Sequence, residues 1–143
     1  MKNLDSPLVM YLVVRESLNM SIGKIAAQTG HAVGMLYRKF LLDRDYVIHI
    51  EDMDSFCYGP IRVDQNKMSN YNLFDSWQKS NHRKVVLKAD EKEWIKLKEL
   101  PDSVLIVDAG FTELEPNTET VIGFWPMYKD QAPKIIKRLQ LLR

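Results

Sequence analysis

The chain of 143 residues has a single cysteine, Cys57. That excludes a disulfide framework, a Cys-x-x-Cys redox pair and a cysteine-built zinc site, and it fits a reducing compartment, so a cytoplasmic location is expected. Long apolar runs are missing too. Residues 8–14 (Leu-Val-Met-Tyr-Leu-Val-Val) fall far short of the roughly 20 residues a membrane span requires. With no small-residue cleavage site after it, the run is expected to be a strand rather than a signal peptide, and no membrane partner is expected. Net charge is nearly absent: 20 Lys+Arg stand against 19 Asp+Glu, giving +1, so no global basic field advertises a polyanionic partner. No Walker loop and no Ser-His-Asp order is present. The three histidines, His31, His49 and His82, are too scattered for a zinc site, so no metal is expected.

What is present is ordinary globular material. Hydrophobic residues make up 45% of the chain, charged residues 27% and aromatics 10%, enough for one domain over residues 1–143 with its own core. The neutral balance is unevenly distributed. Residues 100–128 carry five acids and no Lys or Arg, whereas residues 129–143 carry five bases and one acid. That basic tail is either a solvated helix face or a phosphate-binding patch.

Periodicity predicts four strands. Residues 8–14 read as a strand buried on both faces, and residues 84–87, 104–107 and 120–124 supply the other three. Residues 21–42 read as a long helix capped by Ser21, with Ile22, Ile25, Thr29, Val33, Leu36 and Phe40 at helical spacing. Residues 90–100 read as a short helix, Asp90 and Glu93 forming a capping box, and residues 133–142 as a terminal helix opening on proline. The order implies a single α/β domain: a four-stranded, mixed but mostly parallel sheet, helices on both faces, the last strand antiparallel. Residues 43–82 mix turn signals with scattered aromatics and show no sustained period, so they stand as a long connection that is either functional or carries structure its pattern does not reveal.

Some residues stand where stability alone would not place them. Lys24, Gln28 and His31 form one polar row at i, i+4 and i+7 of the long helix. Lys24 lies in the first turn, where a cation opposes the helix dipole by about 0.3–1 kcal/mol. It is either a snorkelling surface lysine or a group aimed at a ligand. Gly23 beside it leaves room for close approach. His31 is either a hydrogen-bonded structural histidine or a catalyst. Ala26, Gly30 and Gly34 form a stripe of small residues, which predicts tight packing against another element. Asp108 ends an apolar strand and is followed by Ala109 and Gly110. Ligands of open α/β sheets collect at such carboxyl ends, so Lys24 and Asp108 are expected to face one cleft; the alternative is that Asp108 only caps a turn.

These stretches resemble, in order, the archaeal/eukaryotic-type (second-class) peptidyl-tRNA hydrolase family. The resemblance rests on Met10-Tyr11-Leu12-Val13-Val14-Arg15, on Met20-Ser21-x-Gly23-Lys24-x-Ala26-Ala27-Gln28-x-x-His31-Ala32 and on Lys84-Val85-Val86-Leu87-Lys88-Ala89. It continues through Asp108-Ala109-Gly110-x-Thr112-Glu113 and Pro116-x-Thr118-x-Thr120-Val121 to Leu139-Gln140-Leu141-Leu142. It implies a small α/β domain, often dimeric, serving translation by cleaving the ester that joins a peptide to tRNA, with no metal or organic cofactor. Lys24, Gln28, His31, Asp108 and Thr112 fall on positions that the resemblance makes catalytic. Ser21, Gly23, Gly110, Phe111 and Thr118 are the expected substrate-binding residues.

Ester hydrolysis needs an oriented water, charge stabilisation of a tetrahedral oxyanion and a proton for the leaving hydroxyl. Asp108 is expected to orient the water and Lys24 to meet the oxyanion or a phosphate, with Thr112 and Gln28 as positioning groups. A carboxylate beside an ammonium has a low pKa, which favours orienting water over deprotonating it.

The chain departs from the family at Phe111, where an Arg is usual, at Asn117, where a Gly is usual, and at Phe124-Trp125-Pro126. Phe111, Phe124 and Trp125 either stack on bases or pack the core. Two readings follow: a peptidyl-tRNA hydrolase, or a non-catalytic relative that binds RNA, a nucleotide or a protein.

Overall fold

The computed structural model describes residues 5–54, 64–111 and 113–143, with residues 49–54 as backbone only; Cys57 and Thr112 lie outside the described residues. The chain runs β1 (Leu8–Arg15), α1 (Ile22–Asp54), α2 (Gln65–Lys79), β2 (Lys84–Ala89), α3 (Glu91–Lys98), β3 (Ser103–Asp108), β4 (Thr118–Phe124), β5 (Met127–Tyr128), α4 (Lys134–Arg138) and β6 (Gln140–Leu141). All six strands join one sheet in the order β3-β4-β1-β2-β6, with β5 on β1.

The alternation of β1 divides the interior. Leu8, Met10, Leu12 and Val14 meet Ala32, Leu36 and Phe40 of α1 and Phe74 and Trp77 of α2. Val9, Tyr11 and Val13 meet Trp94 and Leu97 of α3 and Ile136 of α4. A strand covered on both sides needs apolar residues at every position, which explains the unbroken run from Leu8 to Val14. Helices cover both faces, as the sequence implies.

The four-stranded, mostly parallel sheet is corrected to a six-stranded mixed one. β1, β2 and β3 share a direction, but β4 enters antiparallel between β1 and β3, leaving β1 and β2 as the one parallel pair of neighbours among the described strands. The two added strands have two residues each, too short to leave a period in the sequence.

One of them also shortens the terminal helix. The helix stops at Arg138, and Leu139 turns extended so that its side chain stays buried. Leu141 then pairs with Leu87, and the Leu142 amide donates to the Val86 carbonyl at 3.0 Å. Pairing along β2 satisfies backbone groups that an open edge would leave exposed.

Residues 43–82 hold more structure than their pattern shows. α1 continues to Asp54 because no Pro or Gly halts it, and Val47 keeps the buried stripe of Leu36 and Phe40. α2 is capped by Asp64, whose carboxylate accepts from the Asn66 and Lys67 amides. Its Phe74 ring stacks on Phe40 at 4.6 Å between centroids, and the Trp77 indole donates to the Arg83 carbonyl at 2.9 Å. Asn70 bonds Asp102, and Trp125 donates to the Asn70 carbonyl. Arg83, Asp102 and Trp125 flank the sheet at the end opposite Arg15 and Asp108, so α2 lies away from those residues.

The small-residue stripe is a second correction. Ala26, Gly30 and Gly34 are exposed, and a Cβ added at Gly30 or Gly34 would meet nothing within 4 Å. The helix buries the adjoining row Gln28, Ala32, Leu36 and Phe40 instead. Close approach occurs at Gly123 of β4, where a Cβ would stand 3.1 Å from Ala32 and 3.2 Å from Leu36.

Candidate active site

The start of α1 and the end of β3 meet at the carboxyl edge of the sheet. Ser21 caps α1, its hydroxyl accepting from the Lys24 amide at 3.3 Å. That cap places Lys24 in the first turn, from which its ammonium reaches Asp108 Oδ1 at 2.5 Å. The two side chains are only 10% and 6% exposed. Burying such a pair is costly unless remaining polar atoms are satisfied, and here they are. The Gln28 amide donates to Asp108 Oδ1 at 3.2 Å, and the Gly110 N–H donates to Oδ2 at 2.9 Å.

The turn after β3 is shaped for this carboxylate. Gly110 has φ +84°, and a Cβ there would stand 2.7 Å from the Pro116 nitrogen, so only glycine fits without strain. Asn117 adopts the left-handed conformation at φ 64°, and its amide donates to the Asp108 carbonyl at 2.7 Å. The Lys24 ammonium, by hydrogen bonding, holds the Asp108 carboxyl below its ordinary range against the opposing effect of burial. The Gly110 N–H and the charges of Lys24 and His31 add to that lowering. An ionised, weakly basic carboxylate suits water orientation.

Lys24, Gln28 and Asp108 are thus brought together. His31 is exposed one turn beyond Gln28 and acts on Asp108 through its charge. Ser21 is committed to its cap and to Glu113, donating from its hydroxyl at 2.5 Å and its amide at 3.0 Å. Gly23 opens onto empty space. Thr118 spends its hydroxyl on the Glu115 carbonyl at 2.6 Å, within the turn. Phe111 is almost wholly exposed, whereas Phe124 and Trp125 pack in the core. Thr112 lies outside the described residues.

Two residues escaped the sequence reading. Thr120 is fully buried, and its hydroxyl donates to Gln28 Oε1 at 2.9 Å, with the Ile106 carbonyl at 3.2 Å. That bond turns the Gln28 N–H₂ towards Asp108. Glu113 clasps Ser21, and the Ser21 hydroxyl and amide lower its pKa against burial. Both stand in the quoted motifs, which was the available signal.

A cleft of about 370 Å³ lies along α1 and the edge strand β3, lined by Gly30, His31, Gly34, Arg38, Ile106 and Val107, the residue before Asp108, among others. Among the described residues no three His, Cys, Asp or Glu side chains cluster as metal ligands, and no helix is long and apolar enough to cross a membrane.

The family model described as Peptidyl-tRNA hydrolase PTH2 matches residues 8–142. A peptidyl-tRNA hydrolase of Thermoplasma acidophilum is 31% identical over 140 residues, covering 93% of this chain and 97% of that protein. One from Methanopyrus kandleri is 32% identical over 138 residues, covering 92% and 96%. The mitochondrial peptidyl-tRNA hydrolase 2 of Bos taurus is 33% identical over 138 residues, covering 92% of this chain and 63% of its own length.

Proposed function

The chain belongs to the peptidyl-tRNA hydrolase PTH2 family, and from that premise we propose that Lys24, Gln28 and Asp108 carry the hydrolysis of the ester between peptide and tRNA. Asp108 accepts a hydrogen bond from the attacking water and fixes its direction. As the water oxygen bonds to the ester carbonyl, negative charge grows on the carbonyl oxygen. The Lys24 ammonium and the first amides of α1, open at Gly23, supply the opposing charge. The carbon–oxygen bond to the ribose then breaks, and a proton from the water ends on the ribose oxygen. The products are a free peptide carboxylate, a tRNA with a free terminal hydroxyl, and the second water proton, which is released to solvent. Thr112, as the resemblance implies, joins Gln28 in positioning the water or ribose.

The observation that carries the proposal is the buried 2.5 Å Lys24–Asp108 pair at a helix start, braced by Gln28. The described part of residues 43–82 lies at the opposite end of the sheet, so α2 does not cover the pair. Lys24→Ala and Asp108→Asn should each lower release of tRNA from peptidyl-tRNA by at least about 100-fold. Near-wild-type turnover by both removes the assignment. Binding without release by the unaltered protein instead supports the other reading, a module that holds RNA without cleaving it, which the exposed Phe111 favours.

The acceptor strand is proposed to follow the α1/β3 cleft, where Gly30 and Gly34 let a sugar–phosphate backbone approach and Arg38 meets phosphate. The same reading places the enzyme in the cytoplasm as a homodimer, supported by the exposed Leu41, Leu42 and Ile48 along α1. Sedimentation equilibrium showing only a 16.7 kDa species overturns the dimer.

A further inference from the structure

Two large apolar side chains lie where folding alone would not leave them. Phe111 is 91% exposed and Ile22 88%, against 63% at most for the other large exposed hydrophobic residues described. Single exposed apolar residues are ordinary, but Phe111 stands three residues after Asp108 in the turn that closes the site. Ile22 directly follows Ser21, Phe111 precedes Glu113 by two positions, and Ser21 bonds Glu113 through both its amide and its hydroxyl. The clasp holds the turn that carries Phe111 against the start of α1, beside the Lys24–Asp108 pair, whereas Ile22 lines a separate cavity with Arg15, Lys88 and Arg143.

We infer that Phe111 is the stacking platform for the terminal nucleobase of the tRNA acceptor end. The inference rests on the reading that the ester is cleaved at Lys24 and Asp108. In that substrate the ester and the terminal base hang from the same ribose. A carbonyl seated at Asp108 therefore puts a base within one sugar's width, and Phe111 is three residues along the chain.

Charge decides which part of the substrate the platform takes. The turn after β3 carries Glu113 and Glu115 and no Lys or Arg, and Glu113, with its pKa lowered by Ser21, is ionised beside the mouth. A phosphate is repelled there, whereas the uncharged face of a base is not. The peptide arm changes its side chains from one substrate to the next, but the acceptor base does not. A rigid aromatic surface matches the constant arm, and every base presents a π-face to it.

The test uses one peptidyl-tRNA prepared in two forms, with the terminal adenine present or with an abasic terminal ribose. The unaltered protein should cleave the intact form with a kcat/KM about tenfold or more above the abasic form, as loss of one base–aromatic stack predicts. Phe111→Ala should bring that ratio close to one, mainly through KM, and Phe111→Trp should restore it. Because Phe111 is exposed, thermal melts of the variants should match the parent. A ratio near one in the unaltered protein, or an undiminished ratio in Phe111→Ala, overturns the platform while leaving the hydrolase intact. So does a Phe111→Ala loss that depends on whether the esterified residue is Gly or Leu, since the surface would then hold the peptide. Failure of the unaltered protein to release tRNA from either form overturns the catalytic reading itself, and the platform with it.

Discussion

Gln28 can present either end of its amide to Asp108, and only one end helps. Its N–H₂ donates to a carboxylate, while its carbonyl would repel one. The choice is made by Thr120, whose buried hydroxyl donates to Gln28 Oε1 at 2.9 Å. Thr120 is thus a positioning residue, acting through Gln28. Thr120→Val keeps the shape but leaves a buried acceptor without its donor, which should cost about 1–3 kcal/mol of stability. Turnover should drop about tenfold, in kcat more than KM, because the ester still binds while its water is misdirected. Thr120→Ser should recover most of the rate. A Thr120→Val enzyme with unaltered kcat would reduce the residue to a packing role. Lys24 and Asp108 were legible in the sequence, one as a cation at the wrong helix end, the other as an acid closing an apolar strand. Thr120 was not, because a β-branched residue in a strand looks like any other until β4 is known to lie beside β3 and under α1.

At the level of elements, local signals survived where local physics decides. The Asp90–Glu93 capping box forms in full and starts α3 as predicted. The apolar run 8–14 is the central β1. α2 was hidden because Tyr71, Leu73, Phe74 and Trp77, which pack on the core, stand among polar neighbours, and β6 because its two residues take their conformation from β2. One joint between elements was hidden as well. Arg15, at the end of β1, grips Glu91 in the first turn of α3 through two 2.9 Å bonds, and the Ser17 hydroxyl also donates to Glu91. Those hydrogen bonds, Arg15 first, bring the Glu91 pKa from 4.5 to about 2. The folded state therefore keeps this carboxylate charged in acid where the unfolded chain would protonate it. Its contribution is complete above pH 4.5 and is lost as pH falls towards 2. The pair is solvent-accessible, so the contribution at neutral pH is below about 1 kcal/mol. Thermal melts should show Glu91→Gln slightly less stable than the parent at pH 7, with the gap closing as pH is lowered from 4.5 to 2. A gap that widens on acidification would show that the Arg15 clasp does not stabilise the fold.

Across the whole molecule, the near-zero net charge hides a division of labour between surfaces. Two sets of exposed basic residues lie on opposite faces of the sheet: Arg38 and Lys39 on α1, and Lys92, Lys96, Lys134 and Lys137 on α3 and α4. The reacting pair lies at the start of α1, so a tRNA whose end reaches Lys24 runs along the α1 face, and the far set is turned away from it. The acidic turn carrying Glu113 and Glu115 adjoins the mouth, where a neutral base and not a phosphate is expected. Binding should accordingly be electrostatic but modest, with few phosphates neutralised. Each phosphate neutralised lowers the slope of log K against log salt by about 0.7–0.9, so the parent protein should show a clear negative slope. Arg38→Glu should weaken binding of uncleavable peptidyl-tRNA analogues and make the slope shallower by about one contact. The paired change Lys92→Glu/Lys96→Glu should leave the slope nearly unaltered, although it removes twice as much positive charge from the chain. If net charge alone governed recognition, the double variant would lose more affinity than Arg38→Glu. An affinity indifferent to salt in the parent protein would overturn the α1 path altogether. Filter-binding titrations between 50 and 300 mM salt separate these outcomes, because only a phosphate contact changes the slope as well as the intercept.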